Sequence, residues 1–372
     1  MLKFVLKVFI FILNLIYMFY KLLPTQNKIV MISRQSNEIS TDFKLIGKKL
    51  SKKYKVVYLC KTLEGGVKSK LIIKIKYGFH MFTQMYHLAT SKVCILDSYC
   101  PTVSILKHKK SLTVIQMWHS IGTMKKFGWG ILDKKEGSYS DIAKTMKMHK
   151  NYDVVLASSE NYAEHLCIGF NVPTDKIKIL TLPRVDLLND KEYKSKIKKR
   201  IYKKYPQLKE KKNIVYAPTF RKNESDFNKC LQDLIKNLDF NKYNLILKLH
   251  PLSKVKVNNK QIIIDKKFTT FDMLFVADKL ISDYSCIIYE AGVMNIPLYF
   301  YNFDIKKYEG VRGLALDYNE LPGYTASKAK DLVEKLEKEY DKVYLKKFIK
   351  KYVSNTKDCT NKIVKFIESY ME

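Results

Sequence analysis

The sequence lacks several patterns that would assign a function directly. Neither the dinucleotide fingerprint G-x-G-x-x-G nor the phosphate-binding loop G-x-x-x-x-G-K-[ST] occurs, so no dinucleotide cofactor and no P-loop nucleotide site is indicated. A D-x-D pair and an H-E-x-x-H helix are missing too, and the sequence therefore predicts no metal site and no cofactor. A requirement for a metal ion in solution is left open.

Cysteine is scarce and has no recognisable spacing. The chain has 7 cysteines among 372 residues, an odd number, and no two of them form a C-x-x-C pair. Most lie in apolar runs, which is typical of buried thiols. We therefore expect reduced cysteines in a cytosolic protein rather than a disulfide framework.

Acidic residues are few relative to basic ones. The formal net charge is +32, from 68 Lys and Arg against 36 Asp and Glu, and such an imbalance favours a polyanionic partner. A nucleic acid, an anionic membrane surface and a phosphate-rich substrate all meet this description, so charge alone does not choose among them. The hydrophobic fraction of 47% excludes general disorder.

The first 23 residues differ from the rest of the chain. All but four are apolar or aromatic, and at ~100° per residue those four, Lys3, Lys7, Asn14 and Lys21, fall on one side of a helix. The longest run without a charge, Val8–Tyr20, is shorter than the ~20 residues of a spanning helix. We expect an interfacial helix at the cytoplasmic leaflet with its lysines toward lipid phosphates; a transmembrane span is the alternative, and a cleaved signal is disfavoured.

The remaining sequence alternates short apolar runs with helical stretches, which predicts parallel sheets built from βαβ units. We expect an amphipathic helix over residues 1–23, an N-terminal Rossmann-like domain over residues 24–188 and a C-terminal one over residues 189–372. One helix is expected over Lys68–Thr90, and one continuous amphipathic stretch over Leu345–Tyr370.

A strongly basic run covers Lys194–Lys204. The pattern favours a solvated helix that leads into the second domain. A nucleic-acid patch is the sharper alternative, but no aromatic stacking pattern accompanies the charges, and we expect no nucleic-acid partner.

The strand predicted over Leu112–Trp118 ends directly before His119 and a loop that contains Lys125 and Lys126. Open α/β sheets bind ligands at the carboxyl ends of their strands, and a histidine there can take a proton from a hydroxyl near neutral pH. The lysines can face anionic oxygens. The alternative is a hydrogen-bonded turn histidine beside solvated lysines, because these residue types match many loops.

Candidate residues of the second half follow strands in the same way. Arg221 offers a bidentate fork for phosphate, and a protonated His250 could stabilise a leaving phosphate. Ser285, after Asp283, would cap a helix whose free amides could bind a diphosphate. The alternatives are a surface arginine, a structural histidine and a plain helix cap.

Five segments carry a resemblance to a known family. The segment Gln116–Gly128 resembles the Trp-His-Gly/Ala-x-Gly/Pro-x-x-Lys-Lys signature of the CDP-glycerol glycerophosphotransferase family, whose members build teichoic acid and related glycerol- or ribitol-phosphate polymers. The other segments follow in the order expected for that family: Tyr216–Arg221, Leu247–Pro251, Ile281–Cys286, and Tyr308–Gly313 followed by Asp317 and Leu321–Gly323. Cys286 stands where the family commonly has a second serine, and Ser120-Ile-Gly replaces Gly-Thr-Pro, which leaves acceptor preference open.

The resemblance implies a GT-B-like α/β fold, with two Rossmann-like domains facing each other across a cleft. It implies transfer of glycerol phosphate or ribitol phosphate from a CDP-alditol donor to a hydroxyl of a lipid-linked saccharide or polymer at the membrane, with release of CMP. The catalytic residues it implies are His119, as general base, and His250. The donor-binding residues it implies are Lys125, Lys126, Arg221, Asp283, Ser285, Glu309 and Arg312, the last two on a turn whose alternative role is a local ion pair.

Two other functions remain as alternatives. A GT-B glycosyltransferase with a nucleotide-sugar donor would share the fold, the charge and the N-terminal helix. A non-enzymatic basic membrane or RNA-binding protein would share the charge and the helix, but it would not explain why the candidate residues follow strands. Glycerol versus ribitol, the acceptor, the number of units added and the oligomeric state are left open.

Overall fold

The computed structural model describes residues 2–63 and 71–372. Within these ranges the chain forms two compact units. The first unit contains the described residues up to Ser120, Phe127–Arg184 and Lys357–Glu372, and the second contains Ile121–Lys126 and Val185–Thr356. This division differs from a single break after residue 188, because the last helix belongs to the first unit and the short segment after Ser120 belongs to the second.

A parallel sheet forms the centre of the first unit. Its strands are β1 (Gln26–Ser33), β2 (Lys55–Cys60), β3 (Ser91–Leu96), β4 (Thr113–Gln116), β5 (Val154–Ala157) and β6 (Ile177–Ile179). They lie in the order β2-β1-β3-β4-β5-β6. The apolar run Ile29–Ile32 of β1 is fully buried, as expected for an inner strand of a parallel sheet whose two faces are covered.

The second unit is built on a parallel sheet of the same size. Its strands are β7 (Lys212–Tyr216), β8 (Tyr243–Leu247), β9 (Ile262–Ile264), β10 (Lys279–Ser282), β11 (Leu298–Tyr301) and β12 (Tyr324–Ala326). They lie in the order β12-β11-β10-β7-β8-β9. Read from the other side, this is the order of the doubly wound nucleotide-binding fold. The predicted α/β class with two Rossmann-like units is confirmed.

Helices connect the strands. They are α1 (Leu2–Tyr20), α2 (Thr41–Leu50), α3 (Leu71–Thr90), α4 (Pro101–Ile105), α5 (Ser140–Thr145), α6 (Glu160–Phe170), α7 (Arg184–Asn189), α8 (Lys191–Lys204), α9 (Ser225–Asn237), α10 (Thr270–Leu274), α11 (Ile287–Val293), α12 (Ile305–Val311), α13 (Ala329–Leu336), α14 (Lys342–Tyr352) and α15 (Cys359–Glu368). Ser40 and Ser159 cap α2 and α6, since their hydroxyls accept from the amides of Phe43 and Tyr162.

Interrupted or very short elements account for the differences from the sequence prediction. The single stretch expected over Leu345–Tyr370 is wrong, because α14 and α15 are separate helices and Asp358, with φ 54°, precedes the second one. β12 has 3 residues and is too short to show a periodicity. The helix expected over Lys68–Thr90 is described from Leu71 onward, and residues 68–70 lie outside the described range.

Helix α1 packs against the rest of the first unit with the side that includes Asn14. Ile10, Leu13 and Tyr17 are buried, and Asn14 donates to the carbonyl of Ile105 and accepts from the amide of Lys107. The polar stripe that was expected to face lipid phosphates is therefore turned toward the protein at Asn14. By length and composition α1 could span a membrane, with a mean hydropathy of 2.1 over its apolar window.

The strand order of each sheet reverses at one place. This switch point lies between β1 and β3 in the first unit and between β7 and β10 in the second. Open α/β sheets bind ligands outside the carboxyl ends of the strands at such a point. The loops concerned start at Arg34, Asp97, Ala217 and Asp283, so each unit has a defined place where a site is expected.

Candidate active site

His119 lies in the loop that follows β4, and a kinked turn brings it there. β4 ends at Gln116, two residues earlier than predicted, because the chain leaves the extended conformation at Trp118, whose φ is 57°. The side-chain oxygen of Gln116 accepts from the amide of Trp118 at 2.9 Å. The turn directs the backbone of His119 away from the strand axis.

The left-handed conformation of Trp118 is unusual for a bulky residue, and it costs ~1–3 kcal/mol that the surrounding structure must offset. Packing of the indole opposes this cost. Its ring stacks on Phe127 with centroids 4.9 Å apart, meets Phe170 edge-on at 5.0 Å and lies 4.1 Å from the ring of His119. His149, behind Trp118, is buried, and burial lowers its pKa to about 3, so this histidine is neutral.

The imidazole of His119 is held by the two loops that flank the switch point. Nδ1 lies 2.9 Å from the peptide oxygen of Asp97, after β3, and 3.2 Å from the side-chain nitrogen Nε2 of Gln35, after β1. A peptide oxygen only accepts, and this shorter contact therefore places the hydrogen of the neutral ring on Nδ1. Nε2 then carries the lone pair and can accept a proton.

Asp97 brings a buried carboxyl group to the same edge. Its side chain is 4% exposed, and Oδ1 has no hydrogen-bond partner among the described residues. Burial raises the pKa of this carboxyl to about 6, against the opposing effect of hydroxyl contacts from Ser33 and Ser98. The carboxyl therefore changes its protonation state just below neutral pH.

An ion pair fixes the backbone of His119. Arg184 donates from Nη2 to the carbonyl oxygen of His119 at 3.2 Å. The same guanidinium is held by Asp42, which is buried at the start of α2 and also accepts from the amide of Arg184 at 2.8 Å. Asp42, Arg184 and Gln35 were not predicted as site residues.

In the second unit, the segment Ile121–Lys126 pairs with residues 313–315. The amide of Lys126 donates to Gly313 and the amide of Ala315 donates to Met124, at 3.2 and 3.1 Å. Tyr289 of α11 donates its hydroxyl hydrogen to the carbonyl of Thr123 at 2.6 Å. Gly122 lies so close to the ring of Tyr289 that a Cβ would come within 2.5 Å of it, which explains the glycine in the motif.

This pairing brings three of the predicted cationic residues together. Arg312 donates from Nε to the carbonyl of Lys126 at 3.2 Å, and Lys125 forms an antiparallel bridge with Leu314. Glu309 is exposed within α12, so the turn predicted for it is wrong, whereas Arg312 lies in the turn that ends this helix, as predicted. Periodicity did not reveal α12 because it has 7 residues and starts beside a strand.

Arg221 contacts protein carboxylates rather than solvent. Its Nε and Nη2 donate to the two oxygens of Asp304 at 2.6 and 2.9 Å, and Nη1 lies 2.9 Å from Asp283. Nη1 also donates to the carbonyl of Thr219 at 2.6 Å. Burial alone would lower the pKa of the guanidinium, but the two carboxylates outweigh it and raise the pKa above its usual value.

Asp283 is a junction between the loops of the second switch point. It is fully buried and accepts from the amides of Thr219 and Tyr284 as well as from Arg221. The hydroxyl of Tyr284 donates to Asp304 at 3.0 Å, and its ring stacks on Tyr308 at 3.9 Å. The loops after β7, β10 and β11 are thereby tied into one network.

Ser285 and Cys286 stand at the start of α11. Cys286 occupies the N-cap position and makes no side-chain cap, but the hydroxyl of Ser285 accepts from the amide of Ile287 at 3.4 Å, so Ser285 caps the first helical amide from one residue farther out. Ser285 is half-buried beside Asp283, in the loop at the switch point. Its hydroxyl therefore remains a candidate for contact with a ligand at that edge.

His250 borders a cavity of about 680 Å³ at the carboxyl end of β8. Lys248, Asp265, Phe268 and Thr269 line the same cavity, and Lys248 is buried in an ion pair with Asp265 at 2.6 Å. The amide of Leu252 donates to Nδ1 of His250 at 3.2 Å, which leaves Nε2 to carry the hydrogen of the neutral ring. Burial, followed by the nearby charge of Lys125, lowers the pKa of His250.

The nine predicted site residues are distributed unequally between the two units. His119 belongs to the first unit, and the other eight belong to the second. Of the residues that sequence reasoning missed, Gln35, Asp97 and Asp304 also follow strands, so a search for every polar residue after an apolar run would have found them, whereas Asp42 and Arg184 lie at the starts of helices. Among the described residues no group of three or more His, Cys, Asp or Glu side chains could hold a metal ion.

Comparison with known proteins shows where this architecture occurs. The family model for CDP-glycerol:poly(glycerophosphate) glycerophosphotransferase matches residues 15–369. A teichoic acid ribitol-phosphate primase of Bacillus spizizenii is 30% identical over 86% of this chain and 84% of its own length. A teichoic acid glycerol-phosphate primase of Bacillus subtilis (strain 168) is 30% identical over 72% of this chain and 70% of its own length.

Solved structures of the wall teichoic acid polymerase TagF share the fold. One of them has a TM-score of 0.76 at 20% identity and covers 99% of this chain and 97% of that chain. At this identity the likeness shows the fold alone. It confirms the GT-B-like class predicted from the sequence.

Proposed function

The chain belongs to the CDP-glycerol:poly(glycerophosphate) glycerophosphotransferase family, and we propose that it transfers an alditol phosphate from a CDP-alditol to a hydroxyl of a lipid-linked acceptor in teichoic acid synthesis. The donor is CDP-glycerol or CDP-ribitol, and both kinds of relative are found among the primases it resembles. The acceptor oxygen attacks the β-phosphorus, the bond from that phosphorus to the bridging oxygen breaks, and CMP leaves.

His119 is proposed as the general base. The observation that carries the proposal is the contact of its Nδ1 with the peptide oxygen of Asp97, which leaves Nε2 unprotonated at a switch point of the sheet. Nε2 takes the proton of the attacking hydroxyl, and the positive ring is stabilised by the same peptide oxygen. Arg184 holds the backbone, so the ring keeps one orientation.

The second unit is proposed to bind the donor. Phosphoryl transfer requires positioning and charge stabilisation more than covalent chemistry by the protein. Lys125, Lys126 and Arg312 form one cationic group, and His250 borders the cavity that could hold the cytidine. Protonated His250 would donate to the leaving phosphate.

Arg221, Asp283 and Ser285 are proposed to act in the loops of the second switch point. Because the guanidinium of Arg221 is occupied by two carboxylates, we assign it to positioning rather than to direct phosphate binding. Asp283 holds the loop that presents Ser285, and Ser285 contacts the donor. Glu309, exposed on α12, is proposed to orient the alditol hydroxyls.

We place the reaction at the cytoplasmic face of the cell membrane, where a lipid-linked acceptor would be reached. The apolar helix α1 and the net charge of +32 support association with an anionic membrane surface.

Release of CMP tests the proposal. Detergent-extracted protein is supplied with CDP-glycerol or CDP-ribitol, with and without a lipid-linked acceptor, beside the variant His119→Ala. We expect acceptor-dependent CMP release from one donor and a loss of ~100-fold or more in the variant. The number of alditol phosphates on the product separates a primase from a polymerase. Release of a nucleoside diphosphate from sugar nucleotides, with neither CDP-alditol consumed, would replace this function by glycosyl transfer.

A further inference from the structure

Two adjoining cavities lie beside α8 in the second unit. Their volumes are about 650 Å³ and about 690 Å³, within the ~300–1,000 Å³ of ordinary ligand-binding pockets. Lys194, Lys198, Tyr202 and Lys209 line both cavities, which therefore form one continuous depression that we call the basic trough. No residue of the proposed transfer reaction lines it.

The basic trough lies at the edge of the second sheet that is opposite to the switch-point loops. Residues at the amino ends of three strands line it: Lys212 begins β7, Asp278 precedes β10 and Pro297 precedes β11. The switch-point loops, in contrast, start at Ala217 and Asp283, after β7 and β10. The length of the strands therefore separates the trough from these loops, and the trough is a different site.

Lysines supply most of the charged groups of the trough. Nine lysines line it, against two acids, Glu210 and Asp278, and no described carboxylate forms an ion pair with any of the nine. Asp278 is already engaged, since it accepts from the amide of Asn213 at 2.7 Å. Burial, followed by the charge of Lys194, lowers the pKa of Lys198. The trough therefore has an excess of positive charge that a bound anion would offset.

The lysines that α8 contributes to the trough follow the helix axis. Their spacings of three, four, one and four positions place them on one side of the helix, while Ile197 and Ile201, on a different side, are buried. At 1.5 Å per residue this charged side extends over ~18 Å. One phosphate group occupies only part of that length, whereas a chain with a charge on every repeat can contact all of it. The lysines are Lys191, Lys194, Lys198, Lys199 and Lys203.

The other lining residues favour a polyanion without bases or acyl chains. The aromatic rings of the trough are those of Tyr202 and Phe275; Phe275 is buried, and the ammonium group of Lys209 lies 5.7 Å from the centroid of the Tyr202 ring. A row of open rings on which bases could stack is therefore missing from the lining. Leu208, like Phe275, is buried and cannot enter a lipid leaflet. A phosphodiester chain whose repeats carry hydroxyl groups meets these conditions.

We propose that the basic trough binds a poly(alditol phosphate) chain through the lysines on one side of α8. The proposal rests on the proposed function, of which such a chain is the product. The trough holds units that have already been added, and an acceptor that carries several units therefore dissociates more slowly than one that carries none. The basic run Lys194–Lys204, which the sequence indicated as a solvated helix, thereby acquires a ligand.

Binding of a short oligo(glycerol phosphate) tests the trough without donor or turnover. The fluorescently labelled oligomer, and in parallel its ribitol phosphate counterpart, is titrated with the detergent-extracted full-length protein, and anisotropy is measured. We expect the variant Lys194→Gln/Lys198→Gln to bind the oligomer ~10-fold or more weakly. The matched control is Lys196→Gln/Lys204→Gln, which removes the same charge from exposed positions of α8 that line neither cavity and should bind like the wild type.

Several outcomes of this titration would overturn the proposal. An equal loss of affinity in both double variants would show a response to net charge alone. Tighter binding of an oligodeoxynucleotide with the same number of phosphates would assign the trough to a nucleic acid. Binding of a single glycerol phosphate as tightly as the oligomer would show a site for one small anion, and no oligomer binding by the wild type would exclude this ligand.

Turnover distinguishes a failure of this proposal from a failure of the proposed function. CMP release is measured with a lipid-linked acceptor that carries several alditol phosphates and with one that carries none. In Lys194→Gln/Lys198→Gln we expect the KM for the first acceptor to rise and the KM for the second to stay unchanged, because the trough does not touch the reacting groups. A wild-type KM for both acceptors would overturn the retention of the product. If the wild type consumes no CDP-alditol, the proposed function fails, while oligomer binding still decides whether the trough holds a phosphodiester chain.

Discussion

Both units have a six-stranded parallel sheet with one switch point, but the side chains at the two switch points differ. At the switch point of the first unit, the ring of one histidine contacts a peptide oxygen, an amide side chain and an indole ring, and an ion pair reaches only its backbone. At the switch point of the second unit, Arg221, Asp283 and Asp304 form a buried ion-pair network. The contacts of the first unit orient one ring, whereas the charged network of the second unit holds loops in place.

The difference shows that a position at the end of a strand does not by itself define the role of a residue. Arg221 and His119 both follow a strand and both looked available to a substrate, yet the guanidinium is neutralised by protein groups.

Removal of Arg221 should cost the most stability. Arg221→Ala leaves Asp283 and Asp304 buried without a counter-charge, and we expect the free energy of unfolding to fall by ~3–5 kcal/mol. Arg200→Ala, at an exposed position of α8, should change it by less than ~1 kcal/mol. Chemical denaturation monitored by circular dichroism measures both. Because Asp304→Asn removes one of the stranded charges, adding it to Arg221→Ala should recover part of the loss; a wild-type stability for Arg221→Ala would show that the network does not stabilise the unit.

The carboxyl of Asp97 should make stability depend on pH. Its pKa is raised in the folded state to about 6 from an ordinary 3.8, so the folded protein binds the extra proton between these values and loses stability as the pH rises through them. The loss is complete above about pH 6 and amounts to ~3 kcal/mol. Asp97→Asn cannot ionise. Its stability relative to the wild type should therefore increase by most of this amount between pH 4 and pH 7.5 in unfolding titrations, and a pH-independent difference would contradict the assignment.

A methyl group at Gly122 should disturb the loop between His119 and Lys125. In Gly122→Ala the new Cβ would lie 2.5 Å from the ring of Tyr289, and overpacking of this kind costs ~1–3 kcal/mol. Tyr289→Leu, which removes the ring edge, should reduce that cost when it is combined with Gly122→Ala. A double-mutant cycle of melting temperatures measures the coupling, and additive effects would show that the ring does not exclude a side chain here.

The smallest effect should appear at His250. Lys125 is the second cause of its lowered pKa, after burial, and Lys125→Gln should therefore raise the pKa toward the ordinary value without restoring it. Titration of the imidazole signals by NMR measures the shift, with Lys254→Gln as a control for a neighbouring charge that is not a cause of the shift. An unchanged pKa in Lys125→Gln would show that the charge of Lys125 does not affect His250.

The sequence predicted which residues follow strands, because an apolar run that stops at a polar residue is visible locally. His119, Arg221, His250 and Asp283 were found in this way. It could not predict what these side chains contact, since Asp304 is 83 positions from Arg221 and Gln35 is 84 positions from His119. The helix that contains Glu309 was missed because a short helix beside a strand has no distinct period.

The separate roles of the two units can be tested by isothermal titration calorimetry. The CDP-alditol that supports CMP release is titrated into the variants His119→Ala and Arg312→Ala. If the first unit supplies the base and the second binds the donor, His119→Ala will bind the donor with wild-type affinity and release CMP ~100-fold or more slowly with acceptor. Arg312→Ala will bind the donor more weakly. Loss of donor affinity in His119→Ala, in proportion to its loss of CMP release, would contradict the account.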